Sequence, residues 1–427
     1  MNNFLKRIVS NISFSEKLSL ILYWISILAL IESIFRLLNQ RIQLYFLKTE
    51  PIGDEAIFVD SFRFFINHDW YESVAKGTSP LFNLFVYPFY LLTQNPLFSF
   101  KILNISCLIV ILLIWIWFLV QQLTINKKIK TISILFIIQL GFTQNTFFMG
   151  VNDALFSVFV SLGFIFIYSG IIQKNSKKII SSAFLFAAAL SVRELLFIYL
   201  PGIVFLFIVS FVFNLINTRL IFLWILAFFF TTGMIHLPSL IENSNLSTLD
   251  KNPKTIHATW SERNYLQVLE QRKTQPSWDE VLAYKSEYGE DALPKRIPNA
   301  ILMNPLLTVK NFIRQLYLSQ MPLIRQLGLF YILIAIYILA LFRQKAKMTT
   351  DFLWIPALFY SCFTFFLCIQ IIPTLQFRWF VIFPFLITVF SISEISKRIA
   401  KNSWMESILY LNVLVIAIAN VLLIGIW

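Results

Sequence analysis

Residues 80–94, PLFNLFVYPFYLLTQ, decide how this chain is threaded. The stretch is apolar, but it is short for a bilayer crossing and Pro88 interrupts it. A hydrocarbon core of ~30 Å takes about 20 residues of α-helix at 1.5 Å each. Working outward, longer apolar runs stand at about 18–38, 98–120, 131–149, 153–172, 179–192, 195–214, 219–240, 322–342, 351–372, 378–395 and 404–426. Between them fall cation clusters: Lys6, Arg7 and Lys17; Lys127, Lys128 and Lys130; Lys174, Lys177 and Lys178; Arg219; Arg343, Lys345 and Lys347; Lys397, Arg398 and Lys401. If 80–94 does not cross, every cluster lies on one side, as the positive-inside bias of membrane loops requires. If it crosses, every later cluster lands outside. The stretch is therefore read as a re-entrant or juxtamembrane helix, and the N-terminus as cytoplasmic.

Composition agrees with this plan. Of 427 residues, 58% are hydrophobic, 13% are charged and 46 are Phe. A soluble domain carries about 25% charge. The fold class expected is an all-α polytopic membrane protein. It has about 11 transmembrane helices, juxtamembrane helices in the first outer loop, and a helical outer loop after the seventh span. One membrane domain covers 1–427, with the first extracytoplasmic loop at 39–97 and an outer elaboration at 241–320. The net charge of +13 fits inner loops and anionic membrane lipids. It does not point to nucleic acid, because no basic stretch is interleaved with a soluble fold. Cys107, Cys362 and Cys368 all sit in apolar runs, so no disulfide framework is expected. The N-terminal MNNFLKRIVSNISFSEK leads into a full-length span without a small-residue cleavage site, which reads as a retained first helix.

Ionisable residues gather at one end of this plan. The first loop, PIGDEAIFVDSFRFFINHDWYESVAKGTSP (51–80), carries Asp54, Glu55, Asp69 and Lys76. Asp153 opens the fourth span, Arg193 and Glu194 separate the fifth from the sixth, and Arg378 opens the tenth. An ion or proton path would place such groups at mid-membrane depth, so a rim is the wrong place for one. Carboxylates beside cations at a membrane rim suit chemistry on a lipid-linked phosphate. A carboxylate accepts the proton of an attacking hydroxyl, and Arg or Lys holds a departing phosphate. Each residue also has a bland reading. Asp54 suits a helix start, Arg193 with Glu194 suits an ion pair at a hairpin tip, and Arg378 suits an interface anchor. His68 with Asp69 reads as loop packing, and neither His236 nor His257 has partners at zinc spacing, so no metal site is expected.

Taken in order, these motifs resemble the GT-C superfamily of membrane glycosyltransferases, in the branch of protein O-mannosyltransferases and lipid A aminoarabinose transferases. Asp54-Glu55, His68-Asp69-Trp70 and Ser79-Pro80-Leu81 follow that family's first-loop order. Asn152-Asp153-Ala154-Leu155-Phe156 is similar to its Asp-Ala-Leu-Leu helix start. Ser191-Val192-Arg193-Glu194 with Leu200-Pro201-Gly202, and Arg378-Trp379-Phe380 with Phe383-Pro384, match later elements. The resemblance covers about 15–395. It implies an inverting enzyme of the bacterial cytoplasmic membrane, working on the extracytoplasmic face, that moves a sugar from a polyprenyl-phosphate carrier to a lipid, glycan or protein hydroxyl. It also implies Asp54 as catalytic base with Glu55 beside it, and Arg193 and Arg378 near the carrier phosphate, with Asp153 in the site. Ser-Pro-Leu stands where the family has Pro-Pro-Leu, and the usual preceding Lys is absent, leaving Lys76 as a substitute. No cofactor is required, and a divalent cation stays open. A saccharide flippase or a non-catalytic subunit of a glycosylation complex is the alternative. A flippase would carry related halves or charged mid-membrane helices, which the sequence lacks.

Beyond the seventh span, TWSERNYLQVLEQRKTQ and SWDEVLAYKSEYGEDALPKR read as two short amphipathic helices split by Pro276. PNAILMNPLLTVKNFIRQLYLSQ then reads as a helix lying on the headgroups. Together they are expected to roof the site and help choose the acceptor.

Overall fold

The computed structural model describes residues 2–47, 49–51, 53–122, 126–247, 257–333, 335–336, 353–373, 375–399 and 404–422. Among them every regular element is helical. The first half comprises α1 (Asn2–Leu47), α2 (Asp54–Asn67), α3 (Trp70–Ala75), α4 (Pro80–Thr93), α5 (Pro96–Gln122), α6 (Lys127–Thr143), α7 (Asp153–Ile172), α8 (Ser176–Val192), α9 (Leu196–Val212) and α10 (Thr218–Asn243). The second comprises α11 (Trp260–Leu269), α12 (Trp278–Tyr288), α13 (Ile297–Met303), α14 (Pro305–Leu327), α15 (Trp354–Cys368), α16 (Ile382–Ile399) and α17 (Trp404–Leu422). Single 3-10 turns at Asn145–Phe148 and Phe377–Trp379 precede α7 and α16.

Among the described residues five helices are long and apolar enough to cross a bilayer: Glu16–Gln43, Pro96–Gln121, Asp153–Ile172, Thr218–Asn243 and Trp404–Leu422. Large apolar side chains face outward on two of them, with Trp24, Leu28 and Phe35 on α1 and Phe222, Phe229 and Phe230 on α10. Soluble proteins do not carry apolar surface of this extent, so the protein is membrane-embedded. The helix α7 is the inner post, with 78% of its apolar window buried. Phe164 and Tyr168 on it stack among Phe359 and Phe390.

Helix starts follow from local chemistry. Asn126, Asn175 and Asn217 cap α6, α8 and α10, each accepting a hydrogen bond from a backbone N–H in the first turn. Lys127, Lys128, Lys177, Lys178 and Arg219 crowd these starts, where the helix dipole disfavours cations. Helix stability therefore does not account for their position.

Tertiary contacts fix the threading of the first loop. Lys101 Nζ, near the start of α5, donates to the Tyr45 carbonyl at the end of α1 (2.8 Å). The start of α5 thus lies against the end of α1. Buried Arg41, on the same end of α1, donates to the Phe142 and Thr143 carbonyls that finish α6 (3.1 and 3.4 Å).

Some boundaries differ from the apolar runs. The headgroup helix does not stop before the eighth span expected at 322–342. As α14 it runs through Pro322 to Leu327 and ends at Gly328 (φ 53°). A Cβ at Gly328 would lie 2.5 Å from Asn412 Oδ1, so close packing as well as backbone geometry favours glycine there. Residues 337–352, which carry Arg343, Lys345 and Lys347, lie outside the described residues. So do 248–256 of the outer stretch, Lys401, and the end of the last span at 423–427.

Both outer amphipathic helices form, each opened by a capping box. In α11 the pair is Thr259 with Glu262, and in α12 it is Ser277 with Glu280. They close on a small apolar cluster of their own that includes Tyr265, Leu266, Val281, Leu293 and Ile371. Buried Lys285 sits 3.2 Å from Glu262 and 2.9 Å from Glu290.

Candidate active site

The first loop enters the site through Gly53 (φ 63°), after which Asp54 and Glu55 fill the first turn of α2. The capping position belongs to Gly53, so Asp54 stands inside the first turn and not at the cap. Glu55 is buried, and its Oε1 accepts a hydrogen bond from the Gly150 N–H at 2.8 Å. Asn104 on α5 donates to the Met149 and Val151 carbonyls of the same turn. The two side chains together hold the turn that feeds α7 and so set where Asp153 begins that helix.

A second set of hydrogen bonds converges on one carbonyl. Ser79 Oγ and Asn152 Nδ2 both donate to Val192 O, each at 2.6 Å. Three motifs distant in sequence therefore meet immediately before Arg193, the extended residue that ends α8.

The charged groups form a chain leading from the interior toward solvent. Asp153 pairs with Arg193 on one side. On the other, Arg378 Nη1 lies 3.6 Å from Asp153 Oδ2, while its Nη2 donates to Asp54 Oδ2 at 2.5 Å. The guanidinium is held from behind by Gln376 Oε1, which accepts from Arg378 Nε at 2.6 Å. Side-chain exposure is 1% for Asp153, 8% for Arg193, 13% for Arg378 and 32% for Asp54. Asp54 is thus the carboxylate within reach of a ligand, and Asp153 is internal. Burial, followed by the like charge of Arg378, pulls the Arg193 guanidinium from 12.5 down to about 10. It stays protonated at neutral pH.

Asp54, Glu55 and Arg378 border a cavity of about 490 Å³, joined by Gln144, Arg325 and Gln326 from two further helices. Gln144 Nε2 donates to Gln326 Oε1 at 2.9 Å, tying the end of α6 to α14 across the cavity wall.

The expected site residues divide unequally. Asp54, Glu55, Asp153, Arg193 and Arg378 come together. Lys76 does not join them: its Nζ rests 3.7 Å from the centre of the Phe64 ring, outside the ion-pair chain. His68 stacks on that same ring, and Asp69 caps α3 by accepting from the Glu72 N–H, so His68-Asp69-Trp70 builds the loop. Sequence reading passed over Gln144, Arg325, Gln326 and Gln376. The polar side chains Asn311, Gln315, Ser319 and Gln326 recur at helical spacing and are buried in α14, while Val309, Ile313 and Tyr317 of its first turns face out. That inverted pattern was the available signal for this wall.

Among the described residues no group of three or more His, Cys, Asp or Glu is placed to hold a metal ion. Compared with known protein families, curated proteins and solved structures, the chain has no significant match.

Proposed function

We propose that this protein is an inverting glycosyltransferase of the bacterial cytoplasmic membrane. In this reading it moves a sugar from a polyprenyl-phosphate carrier to an acceptor hydroxyl on the extracytoplasmic face. The observation that carries the reading is a part-exposed carboxylate, Asp54, paired to an arginine at the edge of a cavity. This unit is assembled from the first loop and the start of α16, at the helix ends opposite the Asn-capped, lysine-rich ones. The eleven-span plan with a cytoplasmic N-terminus belongs to the same proposal.

The chemistry follows from the side chains. Asp54 takes the proton of the acceptor hydroxyl as its oxygen bonds to the anomeric carbon from the face opposite the phosphate. The bond between that carbon and the phosphate oxygen breaks, and its electron pair leaves with polyprenyl phosphate. Arg378 is the guanidinium nearest this event. It pairs with Asp54 before substrate arrives, and afterwards it faces the phosphate's growing charge. Asp153, itself paired with Arg193, holds Arg378 in place from behind. The acceptor is a lipid, glycan or protein hydroxyl, and in this reading α11, α12 and α13 help select it.

The test is release of polyprenyl phosphate in nanodiscs from short-chain polyprenyl-phosphate sugars, comparing wild type with Asp54→Asn. A loss on the order of 100-fold or more in rate is expected while the fold is retained. Full activity in the variant would remove Asp54 as the base. Absence of release from every carrier would favour the flippase reading.

A further inference from the structure

Away from the ion-pair chain, the cavity beside Asp54 is bordered by neutral polar groups that the reaction as drawn does not use. Gln144, at the end of α6, and Gln326, on α14, are 5% and 6% exposed, and both border the cavity. Gln144 Nε2 donates to Gln326 Oε1 and, at 3.4 Å, to Thr143 Oγ1. Gln144 Oε1 and Gln326 Nε2 are then left without a hydrogen-bond partner among the described residues. Thr146, 2% exposed on the turn after α6, borders the same cavity, and its hydroxyl also has no partner among the described residues. None of these three atoms is sealed off, so each is open to the cavity. A nearly buried polar atom without a partner is costly, and here the set is one acceptor, one donor and one group that serves as either. The carboxylates on the same border are already engaged, Asp54 by Arg378 and Glu55 by the Gly150 N–H.

We propose that Gln144, Gln326 and Thr146 form a sugar-recognition wall that selects a donor whose sugar is uncharged, by hydrogen bonds to its ring hydroxyls. This rests on the transferase reading and decides a point that reading leaves open, the charge class of the donor sugar. A hydroxyl both donates and accepts, so neighbouring hydroxyls of a pyranose accept from Gln326 Nε2 and donate to Gln144 Oε1. A wall of this kind rejects an analogue that lacks the hydroxyls, because its own polar groups are then stranded. An amino sugar would bring an ammonium to a wall whose neighbouring carboxylates are engaged, with the Arg325 guanidinium on the same border. A sugar carboxylate would accept from Gln326 but set its oxygens against the Gln144 carbonyl oxygen, acceptor against acceptor.

The experiment is equilibrium binding to the full chain in nanodiscs, with no acceptor present. The probes are farnesyl phosphate carrying mannose, glucose, 4-amino-4-deoxyarabinose or glucuronate, with farnesyl methyl phosphate as a sugarless diester of the same phosphate charge. Mannose or glucose should bind about tenfold more tightly than the sugarless diester, the scale of two or three net hydrogen bonds. The two charged sugars should gain nothing over it. Gln144→Leu and Gln326→Leu should each remove most of the neutral-sugar preference while leaving the sugarless diester as in wild type. Gln139→Leu breaks a buried amide contact to Ser33 on the same helix, outside the cavity border, and should keep the preference. Gln144→Glu places a carboxylate in the wall and should tighten the amino sugar about tenfold. An unchanged preference in both leucine variants would overturn the assignment, as would an equal loss in Gln139→Leu or no gain in Gln144→Glu. A charged sugar bound more tightly than either neutral one by wild type would overturn the charge class. Parity of all probes in wild type, the result expected if the wall serves the acceptor instead, would overturn the donor site. The Asp54→Asn release assay would still decide the transferase reading separately.

Discussion

Asp153→Asn should unfold this protein more readily than any other single change in the ion-pair chain. The side chain is almost wholly buried and contacts two guanidiniums. Asparagine keeps the size but removes the charge. Arg378 would retain Asp54, so the uncompensated group is Arg193, itself nearly buried. Removing one partner of a buried pair typically costs about 3–5 kcal/mol, because the other charge is stranded. The favourable position of an anion at the start of α7 adds about 0.3–1 kcal/mol to the loss. Asp54→Asn breaks a pair whose carboxylate is a third exposed, and solvent screening limits that loss to about 1 kcal/mol or less. The two variants should therefore differ by at least about 2 kcal/mol, more than tenfold in the unfolding equilibrium. The assay is reversible denaturation in mixed detergent micelles, read by far-ultraviolet circular dichroism. The double variant Asp153→Asn with Arg193→Gln should recover much of the loss, since it removes the stranded charge as well. Equal stability for Asp153→Asn and Asp54→Asn, with no recovery in the double variant, would refute the argument that Asp153 is the structural acid and Asp54 the reactive one.

Two further outcomes follow from the same geometry. Glu55→Gln should slow sugar transfer and cost about 1–3 kcal/mol in the same denaturation assay, because a weaker acceptor then faces the Gly150 N–H; wild-type transfer rates would show that the turn before α7 does not need Glu55. In α12, the Ser277 backbone N–H and then Arg272 pull Glu280 from 4.5 down to about 2. A carboxyl depressed on folding stabilises the folded state above its unfolded value and loses that contribution as pH falls from about 4.5 to 2. Hydrogen exchange in 260–288, corrected for its intrinsic pH dependence, should show protection falling over that window, and Glu280→Gln should flatten the profile.

Much of the architecture was legible because it is local. Apolar length marked α7 at 153–172, and amphipathic spacing on either side of Pro276 marked α11 and α12. The end of α14 was not legible. Pro322 reads as a stop, yet the helix continues to a glycine whose necessity lies in the close approach of Asn412.

The candidate site divides in the same way. Residue type and order alone determined that Asp54, Glu55, Asp153, Arg193 and Arg378 belong at one rim, because burying charge in hydrocarbon is prohibitive and lysine clusters mark the opposite helix ends. Which acid is internal and which faces the cavity, and that Lys76 stays outside the ion-pair chain, was decided only by tertiary structure. Glu55 meets Gly150, Asp54 meets Arg378, and Gln144 meets Gln326 across long stretches of chain. Contacts of a few ångströms between such distant positions depend on how helices pack, and helical periodicity specifies the face a residue occupies without specifying what stands opposite it.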